Sequence, residues 1–164
     1  DNNIWVYREL YVKHLTAEQL ADKILEAEEL DPLPHYTVLD SSCWNKTGFG
    51  PSIAETMMRA GVRWTPSDRN RLQGKMEIHR RLADDPYSNE PRLRIFSKCK
   101  HIIAQLSGIP LSKTNSEDVD TKAEDHAYDA LRYMVMTRMS GYQSIHKTLQ
   151  GIKEQAFQPF DNNG

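Results

Sequence analysis

Residues 118–139 read DVDTKAEDHAYDALRYMVMTRM, and the remainder of the chain takes its place around them. An acidic loop runs into a helix that opens on Asp125, His126 and Asp129. At 3.6 residues per turn, Asp125 and Asp129 fall on one face, one turn apart, with His126 flanking them. Ala127, Ala130, Leu131 and Met134 gather on the opposite side. Such a helix is expected to pack by its back and to present its first turn outward. Two carboxylates and an imidazole held this close make a donor set for a divalent cation. The same acids also suit an ordinary helix start, where the macrodipole favours negative charge. The choice between the two depends on the rest of the sequence.

A chain of 164 residues is long enough for one ordinary domain with a buried core. Hydrophobic residues at 38% and charged residues at 27% describe a globular protein on the polar side of average. No apolar run approaches the ~18 residues of a membrane span, and no signal-peptide pattern opens the sequence. Cys43 and Cys99 lack the CxxC spacing of zinc or redox sites, so reduced thiols and a cytoplasmic setting are expected. The net charge of −2 does not mark a nucleic-acid binder, but the charge is uneven. Residues 16–31 carry six acids (Glu18, Asp22, Glu26, Glu28, Glu29 and Asp31) against Lys23 alone. Residues 59–100 carry eleven Lys or Arg against five acids, so a polyanion would be met by the middle of the chain.

Taken in order, Asp1 to Asn3 is turn chemistry, and Ile4 to Lys13 is β-branched and aromatic as in a strand. Thr16, with Gln19 three residues on, forms a capping box for a helix running to about Leu30. Pro32 and Pro34 end it, and Tyr36 to Asp40 reads as a short buried strand closing on an acid. A carboxylate at the end of a buried strand is a site position, because strand ends in α/β sheets face the binding crevice. It can equally cap the following turn. Ser52 to Ala60 reads as a short helix closed by Gly61, Val62 to Trp64 as another short strand, and Ser67 or Asp68 starts a helix to about Ala83. That helix carries Arg69, Arg71, Lys75, Arg80 and Arg81, with Leu72, Met76, Ile78 and Leu82 as its apolar positions. Arg92 to Ser97 alternates as a strand, Lys98 to Leu106 is helical, and Leu111 to Lys122 is a loop. Residues 1–141 are thus expected to form one domain and 142–164 a tail, partly helical or disordered.

The alternation of strand and helix argues for an α/β sandwich around a mixed sheet. Neither GxxxxGK[ST] nor GxGxxG occurs, so nucleotide cradling by a Gly-rich loop is unsupported, and GxSxG is absent. Trp44 and Trp64 read as core or loop anchors rather than base-stacking platforms.

Three pieces together resemble the nuclease domain of the large subunit of tailed-phage terminases, the viral DNA-packaging motor. They are YTVLDSSCW with SIAETMMRAGV after it, RNRLQGKMEIHRRL followed by RLRIFSKCKHII, and EDHAYDALRY, so that the resemblance spans roughly residues 4–140. The last piece is the most specific: an acid or His, two residues, then Asp-Ala-Leu is shared in outline with RuvC-type Holliday-junction resolvases. Both groups belong to the RNase H-like superfamily, so the resemblance implies an RNase H-like mixed central sheet flanked by helices.

The resemblance further implies a metal-dependent DNA endonuclease that hydrolyses concatemeric double-stranded DNA with two Mg²⁺ or Mn²⁺ ions. Carried over by motif, Asp40 matches the acid ending a site strand, Asp129 the helix acid before Ala-Leu, and His126 the ligand three residues earlier. Asp125 is a neighbouring carboxylate that serves as ligand or outer partner. The implied partners are double-stranded DNA, a terminase ATPase domain absent from this chain, the portal and the small terminase subunit, with no membrane, in the host cytoplasm. The family places a first catalytic Asp on a strand upstream of the turn at Asp1, so one strand and one site carboxylate are expected to be missing here. That loss is expected to weaken metal binding and cleavage. Two other classes fit the same residues: a junction-resolving RNase H-like nuclease, and a non-catalytic packaging or scaffold module whose acids only cap helices.

Overall fold

Two short parallel strand pairs carry the described chain, and five α-helices pack around them. The computed structural model describes residues 3–32, 34–46, 48–108 and 125–137. Asp1, the loop expected at 111–122 and the tail expected at 142–164 lie outside the described residues. In chain order the elements are β1 (Ile4–Val6), α1 (Ala17–Glu28), β2 (Val38–Leu39), a 3₁₀ turn (Ser41–Trp44), α2 (Ile53–Arg59), β3 (Thr65–Pro66), α3 (Arg71–Leu82), β4 (Leu93–Ile95) and α4 (Lys100–Gly108). The last described helix, α5, covers 126–137. The fold is therefore mixed α/β.

The single sheet expected from the sequence is not what the described strands form. β1 pairs with β4, Ile4 opposite Leu93 and Val6 opposite Ile95, while β2 pairs separately with β3, Val38 opposite Thr65. The strand expected over Ile4–Lys13 stops at Val6 because the polar side chains beyond it go elsewhere. Tyr7 and Arg8 each donate to Asp31 at 2.9 Å, and Glu9 accepts from the His101 and Ile102 N–H groups at 3.0 and 2.8 Å. Glu9 thereby satisfies two of the orphan donors at the start of α4. β3 lies three residues later than the strand expected at Val62–Trp64, because Val62 is drawn into the core instead.

Local chemistry sets the helix starts. Thr16 and Ser52 each form a reciprocal capping box, with Gln19 and Glu55 respectively. α2 ends at Gly61, whose φ of 110° is a conformation that side-chain-bearing residues rarely adopt. Asn70 caps α3, two or three residues after the start expected at Ser67 or Asp68.

Two apolar clusters result. The larger joins Ile4 and Leu93 from the β1–β4 pair to Ile78, Ile102, Ala127, Tyr128, Leu131 and Val135. The smaller joins Ala21, Met57 and Val62, with Leu39 and Trp64 packed against it. α5 is buried more completely than a helix packing by one face. Arg132, Tyr133 and Met136 are buried along with Leu131 and Val135, whereas Ala130 is exposed.

Of the four apolar positions expected to pack on α3, Ile78 is buried, while Leu72, Met76 and Leu82 are exposed and Gly74, Glu77 and Arg81 are buried instead. Two contacts explain the difference. Glu77 accepts from Arg81 Nε at 2.6 Å, so two opposite charges enter together. Gly74 lies against α5, where an added Cβ would stand 2.4 Å from Arg132 Cγ. Only a residue without a side chain allows the two helices to meet there.

Candidate functional site

Asp40 follows β2 directly, at the carboxyl end of a strand held in register by β3. Its Oδ1 accepts the Ser42 N–H at 2.7 Å and so caps the 3₁₀ turn. The loop is tied down from the β3–α3 connection. Ser67 Oγ accepts the Ser41 N–H at 3.1 Å, and Arg69 Nε donates to the Ser41 hydroxyl. The other Asp40 oxygen, Oδ2, accepts the Tyr133 hydroxyl at 2.6 Å. Tyr133 sits on α5, 93 residues away in sequence.

The same hydroxyl lies 3.5 Å from Asp129 Oδ2, one helical turn before Tyr133. Asp129 is further held by Arg132, whose Nε donates to Oδ1 at 3.0 Å, and by Arg71 NH1 at 3.7 Å. Arg71, at the start of α3, also reaches Asp125 at 3.5 Å. Two carboxylates, Asp40 and Asp129, thus approach one phenol where β2 and α5 converge, and Arg71 of α3 links Asp129 to Asp125. A phenol has a single proton to donate. It goes to Asp40, and Asp129 faces the hydroxyl oxygen at the edge of hydrogen-bonding range.

The electrostatics follow from these contacts. Burial pushes the Asp40 carboxyl up, but the Tyr133 hydroxyl, the Ser42 donors and the Arg69 charge outweigh it and leave it below the usual carboxylate range. Tyr133 is raised well above an ordinary phenol, first by burial and then by the hydrogen bond to Asp40 and the charge of Asp129. Arg132 is 2% exposed, lies 4.4 Å over the Tyr133 ring, and leaves its NH1 without a hydrogen-bond partner among the described residues. The ring face offsets part of the cost of that buried charge.

Of the four residues singled out from the sequence, the fold brings Asp40, Asp125 and Asp129 into one neighbourhood. His126 does not join them. Its position, a hundred degrees around the helix from Asp125, sends it to a cleft of about 660 Å³ lined by residues 8–14, Leu20, Ile102, Ala127 and Ala130. Sequence reasoning missed Tyr133, Arg132 and Arg71. The signal for the first two is helical spacing, since Arg132 and Tyr133 stand three and four residues after Asp129.

Oxygen donors alone, from carboxylates, suit a hard cation such as Mg²⁺ or Mn²⁺ better than a thiophilic one. Among the described residues no three His, Cys, Asp or Glu side chains stand close enough together to chelate an ion. Asp40 and Asp129 approach one hydroxyl from two sides, and the Arg71 guanidinium, itself a cation, links Asp129 to Asp125. Some of the basic side chains in the middle of the chain are paired with acids of the same stretch: Arg80 and Arg81 bind Glu77, Arg92 binds Asp85, and Arg94 binds Glu90. Comparison with models of known protein families, with curated proteins and with solved structures finds no match.

Proposed function

We propose that this chain is a metal-dependent DNA endonuclease domain of the RNase H-like kind, resembling the nuclease part of a tailed-phage terminase. The observation that carries the reading is the meeting of Asp40 and Asp129, 89 positions apart in sequence, around the Tyr133 hydroxyl. Both belong to the motifs that carry the resemblance, one at a strand end and one on a late helix. In this reading Asp40 and Asp129 hold the cation, with Asp125 beside them, and His126 is left outside the donor set. Mg²⁺ or Mn²⁺, in a two-ion arrangement, would supply an activated water and stabilise the leaving 3′-oxygen of the phosphodiester. The chain's own residues orient the carboxylates and, through Arg71 and Arg132, balance their charge until the cation arrives. The substrate is double-stranded DNA, with a packaging ATPase, portal and small subunit as partners in the host cytoplasm.

A second reading has an observation of its own. Asp40 caps a turn and Asp129 pairs with a buried arginine, which is what a non-catalytic packaging module would need from them. Nicking of supercoiled plasmid in Mn²⁺ separates the two, with EDTA and the Asp40→Asn and Asp129→Asn variants as controls. The assay is run on this chain, with folding of each variant followed by circular dichroism. Metal-dependent nicking lost in both folded variants supports the nuclease. A folded chain that binds no Mn²⁺ and leaves the plasmid intact overturns it.

A further inference from the structure

We propose that Tyr133 is the positioning residue of this site, holding the Asp40 carboxylate toward Asp129 so that the two can share one cation. The inference rests on the metal-dependent reading given above. It begins from an asymmetry in how the two acids are held. Asp129 belongs to α5 and is fixed by Arg132 on the same helix. Asp40 sits on a loop after a two-residue strand, and its link to α5 is the Tyr133 hydroxyl at 2.6 Å. Ser42 holds Oδ1 from within the turn, and Tyr133 holds Oδ2 from α5, so the carboxylate plane is fixed from two sides.

Tyr133 is itself immobilised. It is 9% exposed, lies under the Arg132 guanidinium, and accepts at its backbone carbonyl from Thr137 at 2.8 Å. A rigid donor on α5 therefore holds Oδ2 of the acid that follows β2. Each carboxylate oxygen has two lone pairs, so Oδ2 can keep the phenol on one and offer the other to a cation. Ligand carboxylates are oriented by such outer hydrogen bonds, and removing one typically lowers metal affinity by about 10–100-fold.

Tyr133→Phe deletes the hydroxyl and keeps the ring under Arg132. Binding of Mn²⁺ is followed by the electron-paramagnetic-resonance signal of the free ion, and folding by circular dichroism. The expected result is a variant that melts as one cooperative unit and binds Mn²⁺ about 10–100-fold more weakly than wild type. A merely structural tyrosine would change the melting temperature and leave the Mn²⁺ dissociation constant alone. A folded variant that binds Mn²⁺ as tightly as wild type, or more tightly, overturns the proposal while leaving the nuclease reading standing. Failure of both proteins to bind Mn²⁺ overturns the two together. A second measurement needs no variant: substoichiometric Mn²⁺ should broaden the Tyr133 ring resonances of the wild-type protein before those of the other tyrosines. An unchanged Tyr133 signal at saturating Mn²⁺ also overturns the proposal.

Discussion

Gly74→Ala tests the closest approach between α3 and α5. A Cβ at position 74 would stand 2.4 Å from Arg132 Cγ, 2.9 Å from Arg132 Cδ and 3.3 Å from Met136 Cγ. Arg132 and Met136 are each 2% exposed, so neither can swing into solvent to make room. Two effects oppose each other. Alanine in place of glycine inside a helix stabilises it by roughly 1 kcal/mol. Forcing a methyl into a packed interior costs typically about 1–3 kcal/mol, and a contact a full ångström too short belongs near the upper end. The net expectation is a loss of about 1–2 kcal/mol, which lowers the melting temperature of a domain this size by roughly 2–8 °C. Urea unfolding should show a lower midpoint with an unchanged slope. There is a second consequence, because the atoms that must move belong to the side chain that holds Asp129. Displacing Arg132 breaks its 3.0 Å bond to Asp129 Oδ1, so Mn²⁺ binding should weaken in a variant altered at a glycine that bears no ligand. A Gly74→Ala protein as stable as wild type, or more so, would refute the reasoning by showing that α3 and α5 do not meet at this distance.

Asp129→Asn is expected to destabilise the fold by about 2–4 kcal/mol, since removing one member of a buried ion pair leaves the Arg132 charge uncompensated. Chemical denaturation checks this, and a change below about 0.5 kcal/mol would remove Arg132–Asp129 from the structural framework. Glu77→Gln should cost a similar amount, roughly 2–4 kcal/mol, because Arg81 at 3% side-chain exposure loses its carboxylate. The Glu77 carboxyl, which burial raises but Arg80 and Arg81 bring below its ordinary value, contributes stability above the unfolded pKa that is lost as the pH falls through the folded one. The variant should therefore lose stability less steeply than wild type below about pH 4. On the alkaline side the sign inverts. Tyr133 is raised by burial and by Asp40, so its contribution is complete below about pH 10 and disappears as the pH climbs toward its folded value. Absorbance at the tyrosinate band should show late-ionising phenols in wild type and one fewer in Tyr133→Phe, because Tyr7 is also raised by its hydrogen bond to Asp31.

What the sequence disclosed was local. Thr16 with Gln19, and the run from Ser52 to Gly61, are interactions between near neighbours, and their residue types are sufficient to place α1 and α2. Asp40 at a strand end and Asp125 with Asp129 on one helical face were visible for the same reason. The face of α3 was legible only at Ile78, because hydrophobicity also points to Leu72, Met76 and Leu82 while the other buried positions are Gly74, Glu77 and Arg81. Burial there follows from an ion pair and from the absence of a side chain, neither of which an apolar pattern records. The glycine in the middle of a helix was the one available sign, since such a residue is costly unless something must come close. The length of β1 was hidden too, as Glu9 serves the start of α4 across 92 positions rather than continuing a ladder.

The charge balance bears on how the two functional readings can be told apart. Arg71 and Arg132 both contact Asp129, which a packaging module would use for stability and an enzyme for holding carboxylates together before a cation binds. The two uses predict different things only where the carboxylate can be removed without exposing a buried charge. Asp129 fails that condition, since losing it strands Arg132, and loss of activity in Asp129→Asn is ambiguous on its own. Asp40 meets it better, because its partners are a phenol, a backbone N–H and the exposed Arg69 rather than a buried guanidinium. An asparagine there keeps one acceptor for Tyr133 or Ser42 and costs about 1 kcal/mol as a lost cap. Loss of metal binding in a folded Asp40→Asn protein therefore weighs more heavily for catalysis than the same loss at Asp129, even though Asp129 carries the more specific motif.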